Sequence, residues 1–326
     1  MHRTTMPPIN ESPHVVRASS ERMEEAMGAL LGSGPAAATR FVRQAESARI
    51  ALDHIWCLAD GFGRFRMAVV SIPSPGRAAM LLASHARDPM EAAALGVAIR
   101  AAIDGSKGFA DLVQALVEPS RPFDIMTFEA GGMQRMATLD YLERALPRLG
   151  ALETPAPQEG WTIALAASEA ILGGSDPLAI DPQTRAELVG VLDRSYEDTR
   201  DCPGLAGMRR TSDVLDGHFG LGARPRHWFV ARQSGVAHGV CLMNINPDHT
   251  GAELVYLGLA PEARGRGIAR ALLATGLRAC SLAGCRAVSL AVDERNSDAR
   301  KLYEKSGFRK TSSRIAFVCP THRRAP

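Results

Sequence analysis

The stretch LAPEARGRGIARALLATGL, residues 259–277, places Arg264, Gly265, Arg266 and Gly267 directly ahead of an apolar helical pattern. The first turn of a helix leaves backbone N–H groups without intrahelical partners and carries the positive end of the dipole, so a phosphate can sit there. Glycine lets the backbone come close to such a ligand, and Arg264 and Arg266 add charge. Taken alone, RGRG reads more simply as a solvated turn between a strand and a helix; its context has to decide. Metal chemistry has no comparable signal. Cys57, Cys202, Cys241, Cys280, Cys285 and Cys319 form no CxxC pair, and the nine histidines show no HxxxH or HxxEH spacing, so no metal site is expected.

The elements that must position this turn recur along the chain. Strand-like runs at 55–59, 64–72 and 78–84 precede a helical stretch at 90–103, a strand at 111–118 and a helix-like segment through Phe128. After ETPAPQEG, residues 153–160, the order returns. Strands are predicted at 227–232, 236–245 and 252–259, then the RGRG helix, a strand at 286–293 and a helix at 296–308. The copies align without a gap at an offset of 175, from Ala78–Glu143 against Glu253–Val318. Helices are predicted ahead of the strands in both, at 21–31 and 35–49, then at 183–196 and 211–219. Such a repeat argues for two similar domains, expected at 1–152 and 161–326 with a linker at 153–160. The fold class is α/β in the α+β sense.

Composition narrows the function classes. With 46% hydrophobic and 22% charged residues, the chain reads as a soluble globular protein. No apolar run approaches the ~18 residues of a membrane span, and MHRTTMPPINESPHVV has no signal-peptide core. A cytoplasmic location without membrane association is expected. A net charge of +3 is too small to imply nucleic acid.

The second copy resembles the GNAT acetyltransferase superfamily, whose phosphate-binding motif runs Q/R-x-x-G-x-G/A. Here it is Arg264-Gly265-Arg266-Gly267-Ile268-Ala269, between a strand and a helix. NSDARKLYEKSGF, thirty-two residues further on, resembles the family's N-x-x-A-x-x-L-Y-x-x-x-G-F element. The resemblance implies two tandem GNAT folds, each a mixed, mostly antiparallel sheet flanked by helices. It also implies that the backbone of 264–269, with Arg270 beside it, holds the pyrophosphate of acetyl-CoA as cosubstrate. A dinucleotide fingerprint is excluded because position 270 is arginine rather than glycine and the strand order is wrong.

Transfer of an acetyl group to an amine needs a neutral amine, support for the oxyanion and a proton for the departing thiolate. Glu253, eleven residues before Arg264, stands at the spacing at which histone-type GNAT enzymes carry their general base; it could equally be a strand-end surface residue. Tyr303 matches the family tyrosine that protonates the sulfur, and Asn296 the residue that hydrogen-bonds the pantetheine arm, although asparagine is also an ordinary helix cap. Backbone groups of Leu257, Gly258 and Leu259 correspond to those that meet the acyl carbonyl and pantetheine amides. The first copy has Pro89-Met90-Glu91-Ala92-Ala93-Ala94 over the phosphate motif, and Ala78, Arg121 and Phe128 over Glu253, Asn296 and Tyr303. It is therefore expected to bind no coenzyme A.

The expected activity is acetyl transfer from acetyl-CoA to a primary amine of a small molecule or peptide, by direct attack in a ternary complex. Two alternatives stand beside it: mycothiol-synthase-like acylation of a thiol-bearing amino sugar, and a non-catalytic acyl-CoA sensor or scaffold. The loop YEDTRDCPGLAGMRR offers Glu197, Asp198, Asp201 and Cys202, whose acids could hold a cationic amine or merely solvate a loop. These motifs specify neither the acyl length nor the oligomeric state.

Overall fold

The computed structural model describes residues 14–47, 50–147, 152–166, 180–219, 225–246, 248 and 250–322. They form two compact units. One comprises the described residues up to Arg135 together with those from Ala316 onward, and the other runs from Met136 to Ile315.

Unit 1 contains β1 (His14–Arg17), α1 (Met23–Leu31), α2 (Pro35–Ser47), β2 (Ile55–Ala59), β3 (Phe65–Ser74), β4 (Ala78–Ala83), α3 (Pro89–Ser106), β5 (Leu112–Val117) and α4 (Pro122–Ala130). Strands β1 to β4 pair antiparallel in sequence order, and β4 pairs with β5 in parallel. Helices α1 and α2 bury Ala26, Met27, Leu30, Ala38 and Ala45 against Ile55, Cys57, Ala68 and Val70.

Unit 2 holds β6 (Gln134–Ala145) from Met136 onward, β7 (Trp161–Leu165), α5 (Pro182–Tyr196), α6 (Thr211–His218), β8 (Trp228–Gln233), β9 (Val236–Ile245), β10 (Gly251–Leu259), α7 (Ile268–Leu282), β11 (Ala287–Asp293), α8 (Ser297–Lys305) and the first part of β12 (Arg309–Pro320). Strands β7 to β10 are antiparallel neighbours, β10 and β11 are parallel, and β6 lies antiparallel to β11. Strands β6 and β12 cover equivalent spans of the repeat, 134–145 and 309–320. Each copy's last strand contributes to the other unit: 136–145 to unit 2 and 316–320 to unit 1. Residues 153–160, the expected linker, carry no helix or strand. The compact units divide after Arg135 and Ile315.

Sequence patterns explain the helices that frame the site. Helix α5 starts at the cap Asp181, whose carboxylate accepts from Gln183 N and Thr184 N, with Pro182 at the first helical position. It buries Leu188, Val191 and Leu192 against Trp228, Val230, Val240 and Leu242. Helix α7 buries Ile268, Leu272, Leu273, Leu277 and Cys280, one face of a 3.6-residue period, against Cys241, Met243 and Leu254 on the other side of the sheet. Gly276 permits that approach, because a Cβ there would lie 2.7 Å from Met243 Cε.

In unit 1 the space between the equivalent helices is closed. A Cβ on Gly96 of α3 would stand 2.7 Å from Ala130 Cβ at the end of α4, and one on Gly131 would stand 2.4 Å from Ile99 Cγ2. Overpacking of this kind typically costs 1–3 kcal/mol. Gly96→Ala should therefore lower the stability of the intact protein by about 1–3 kcal/mol, read from denaturant unfolding; unchanged stability would mean that α3 and α4 can move apart freely.

Candidate active site

Strands β10 and β11 run parallel for three residue pairs, Gly251↔Ala287, Ala252↔Val288 and Glu253↔Ser289, and then separate. On its other side β10 stays paired with β9, but the register shifts between Leu254 and Tyr256, a bulge at Val255 that bends the strand away. The parting opens a cleft of about 450 Å³. One wall is Leu254–Leu259; the other is Ala291, Val292, Asn296, Asp298, Ala299 and Tyr303. The backbone groups of β10 that face β11 beyond Glu253 have no strand partner. Gly258 is required by its neighbour, since a Cβ there would meet the Tyr256 ring at 2.5 Å.

The cleft brings together Leu257, Gly258, Leu259, Arg264, Asn296 and Tyr303. Glu253, Gly265, Arg266, Gly267, Ile268, Ala269 and Arg270 are not among its lining residues. Arg264 is spent on structure: its Nε donates to Leu259 O (3.1 Å), and its Nη2 donates to Ser195 O (3.2 Å) and Glu197 O (2.6 Å). Its guanidinium therefore ties the end of α5 to the end of β10. Arg266 Nε donates to Glu262 O.

What the motif offers an anion is its backbone. Gly265 and Gly267 have φ of +73° and +76°, a region that side chains rarely adopt, and a Cβ on either would meet nothing within 4 Å. Gly267 is the N-cap of α7 and has no side chain to occupy the helix end. The N–H groups of Gly265, Arg266, Gly267 and Ile268 donate to no other backbone group among the described residues. This open turn, floored by free donors, fits a pyrophosphate. In unit 1 the matching turn is helical: α3 begins at Pro89, and the Asp88 carboxylate accepts from Glu91 N at 2.8 Å. That carboxylate stands where an anion would bind.

Asn296 caps α8, its Oδ1 accepting from Ala299 N at 3.3 Å. Tyr303 is only 7% exposed, and its hydroxyl makes no hydrogen bond to any described residue. Burial, and then the nearby charge of Asp201, push its pKa up. In unit 1 Phe128 takes this place, stacked on Phe317 with centroids 5.7 Å apart. There Asp124 reaches from α4 to His85 Nδ1 (2.6 Å) and accepts from Ala86 N (3.0 Å).

Glu253 closes the short parallel ladder on the sheet face opposite Ala252 and Leu254. Its side chain reaches solvent and has no ion pair among the described residues, while partial loss of surrounding water pushes its pKa up. Cys202 is held as a thiol: burial, then the charges of Asp201 and Asp293, push its pKa up to about 12.

Sequence reading missed Tyr256 and Asp293. Ser195 Oγ donates to Leu192 O at 2.7 Å, so the Tyr256 hydroxyl, 2.7 Å from that Oγ, donates to Ser195. An aromatic two residues before a glycine in the bulged strand was the available sign. Asp293, fully buried, receives Arg295 Nε and Nη2 and the N–H of Cys202. Burial alone would raise its pKa, but these donors outweigh it and hold the carboxyl low.

Comparison with known proteins fits this geometry. The model of the acetyltransferase (GNAT) family matches residues 192–308. Mycothiol acetyltransferase of Thermomonospora curvata is 34% identical over 96 residues, covering 29% of this chain and 32% of that protein. The enzyme of the same name from Thermobispora bispora is 36% identical over 89 residues, 26% of this chain and 30% of that protein. The matches thus span about a third of those curated relatives. A GCN5-related N-acetyltransferase from Sphaerobacter thermophilus superposes with a TM-score of 0.59 at 16% identity, over 98% of both chains. A tandem GNAT protein from the clavulanic acid biosynthesis pathway gives 0.51 at 16% identity, over 95% of this chain and 98% of that one. At such identity the structural matches establish the fold. With the split β10–β11 ladder and the open glycine turn, residues 192–308 match the GNAT acetyltransferase family, and the chain is built from two GNAT folds.

Proposed function

We propose that the chain is an acyl-CoA-dependent N-acetyltransferase with one active centre, in unit 2, acting on a primary amine. The observation that carries this reading is the cleft where β10 leaves β11, lined by Arg264, the first residue of the open glycine turn. Acetyl-CoA, when bound, supplies an activated acyl group. The N–H groups of Gly265–Ile268 and the first turn of α7 would hold its pyrophosphate, and the backbone groups of Leu257–Leu259 that β9 leaves free, with Asn296, would hold its arm and acyl carbonyl. Glu253 would take a proton from the acceptor ammonium, directly or through water, and the neutral amine would then add to the acyl carbon. Tyr303 would supply a proton to the sulfur as the C–S bond breaks, and the second proton released by the nitrogen would restore the phenol.

Mycothiol acetyltransferases are among the relatives matched, which supports a second reading in which the acceptor is a thiol-bearing amino sugar. Incubation with acetyl-CoA and a panel of amines that includes such a sugar, with mass detection of acetylated products, separates the two. Coenzyme A binding without any product would instead indicate a sensor or scaffold.

The raised pKa of Glu253 sets the sign of the pH dependence. A carboxyl serves as base only when ionised, so kcat/KM should fall as pH drops through a value above the ordinary glutamate range. Glu253→Gln should remove that limb and lower turnover on the order of 10²-fold, with acetyl-CoA affinity nearly unchanged. Full turnover in the variant would place the base elsewhere. Gly267→Glu adds a carboxylate in open space at a φ that side chains rarely adopt, so the fold should survive with a stability loss of about 1–2 kcal/mol while coenzyme A affinity falls at least about tenfold, roughly 1.4 kcal/mol. Calorimetry with undiminished affinity would return 264–267 to a plain solvated turn. The same titration of the unaltered protein should give one acetyl-CoA per chain, because Asp88, Phe128 and the α3–α4 packing fill the corresponding space in unit 1. A stoichiometry of two would contradict that assignment.

A further inference from the structure

The loop between α5 and α6 supplies a wall of the cleft through Asp198, Thr199, Arg200 and Asp201. Two of its non-glycine residues, Asp198 and Cys202, have φ of +52° and +46°, and the surroundings hold them there. Asp201 Oδ1 accepts from Asp293 N at 3.0 Å, and Asp293 Oδ2 accepts from Cys202 N at 3.2 Å. This reciprocal pair fastens the loop to the end of β11. On the far side, a Cβ on Gly204 would lie 2.7 Å from Met136 Sδ, so the loop is also seated closely on β6.

Charge in the cleft is one-sided once these bonds are counted. Arg264 is engaged by three carbonyls, and Arg200 by Asp298 at 2.8 Å. Asp198 has no ion pair or hydrogen bond among the described residues, and the second oxygen of Asp201 accepts from none. Asp201 lies close enough to the Tyr256 and Tyr303 hydroxyls to raise the pKa of both. The Tyr303 hydroxyl, on a side chain more than nine-tenths buried, points into the same cleft without a partner. An unpartnered donor beside an unpaired carboxylate marks a place for a ligand that brings positive charge.

We infer that Asp201 is the specificity-determining residue for the acceptor, holding the ammonium of a cationic amine beside Tyr303, with Asp198 further along the same wall. This rests on the reading of the cleft as an N-acetyltransferase site and narrows its substrate class. Acceptors are amines that enter protonated and carry no neighbouring carboxylate, such as diamines or cationic amino compounds; α-amino acids are disfavoured by repulsion from Asp198 and Asp201. The ammonium is bound by Asp201 before Glu253 takes its proton.

Asp201→Asn keeps an oxygen for the Asp293 N–H and removes only the charge. Titration of 1,5-diaminopentane into the coenzyme A-saturated protein should show binding, weakened at least about tenfold in the variant, with acetyl-CoA affinity unchanged as the control for folding. In turnover, KM for an alkylamine should rise by a similar factor. KM for the matched O-alkylhydroxylamine, uncharged at neutral pH, should not move. Absence of diamine binding in the unaltered protein, equal binding in the variant, equal losses for both acceptors, or a preference for α-amino acids would overturn the assignment. Diamine binding that depends on Asp201 without product from any amine would uphold the ammonium site and count against the transferase reading instead.

Discussion

The site in unit 2 depends on a sheet that stops pairing. After Glu253↔Ser289 the parallel ladder ends, and the bulge at Val255 turns β10 aside while β9 keeps hold of its other edge. Backbone N–H and C=O groups left without partners in a protein interior are costly, so the parting is stable only because it opens to a cleft that water or a ligand can enter. Everything around it follows from that parting. Helix α7 follows the end of β10 and α8 the end of β11, and Asn296, Asp298 and Ala299 at the start of α8 line the opening. Arg264 ties the end of β10 to the carbonyls of Ser195 and Glu197 and so fixes the α5 loop against the same opening.

Unit 1 shows what happens when the same split is not used. Strands β4 and β5 also pair for only three residues, Ala78–Met80 with Leu112–Gln114. There the gap is consumed by the protein itself. Helix α3 begins a turn earlier than its counterpart and is capped by Asp88, Gly96 and Gly131 let α3 and α4 touch, Asp124 bonds to His85 and Ala86, and Phe128 replaces Tyr303. In unit 2 the α7 and α8 helices barely touch each other, and the cleft remains. Substitution of a few residues within an unchanged topology is enough to separate an open cleft from a filled one.

Much of this was legible in the sequence because the strongest signals are local. The strands at 55–59, 78–83 and 236–245 and the helices at 122–130 and 297–305 follow from apolar period and turn residues, and the order of the copies was plain at the offset of 175. Strands β1, β6, β7 and β12 were not read as strands. β1 and β7 are short edge strands, and β6 and β12, alternating and partly polar, pair with strands far away in sequence. The part of the expected helix at 35–49 beyond Ser47 lies outside the described residues. In the candidate site, Asn296, Tyr303 and Leu257–Leu259, which the family resemblance pointed to, line one cleft, and their roles remain those proposed above. The charge of Arg264 was misjudged, because which acceptors a guanidinium finds is decided by the end of α5, sixty-seven to sixty-nine residues away. Tyr256 and Asp293 were missed for the same reason: each is defined by partners on other elements.

The central claim is that one split sheet is open to acyl-CoA and its twin is closed. Amide hydrogen exchange on the intact protein, with and without acetyl-CoA, tests both halves of it in one experiment. The account predicts slowed exchange at residues 257–259 and 265–270 on binding, with residues 78–83 and 89–95 unchanged. Protection of 78–83 and 89–95, or none at 265–270, would contradict it.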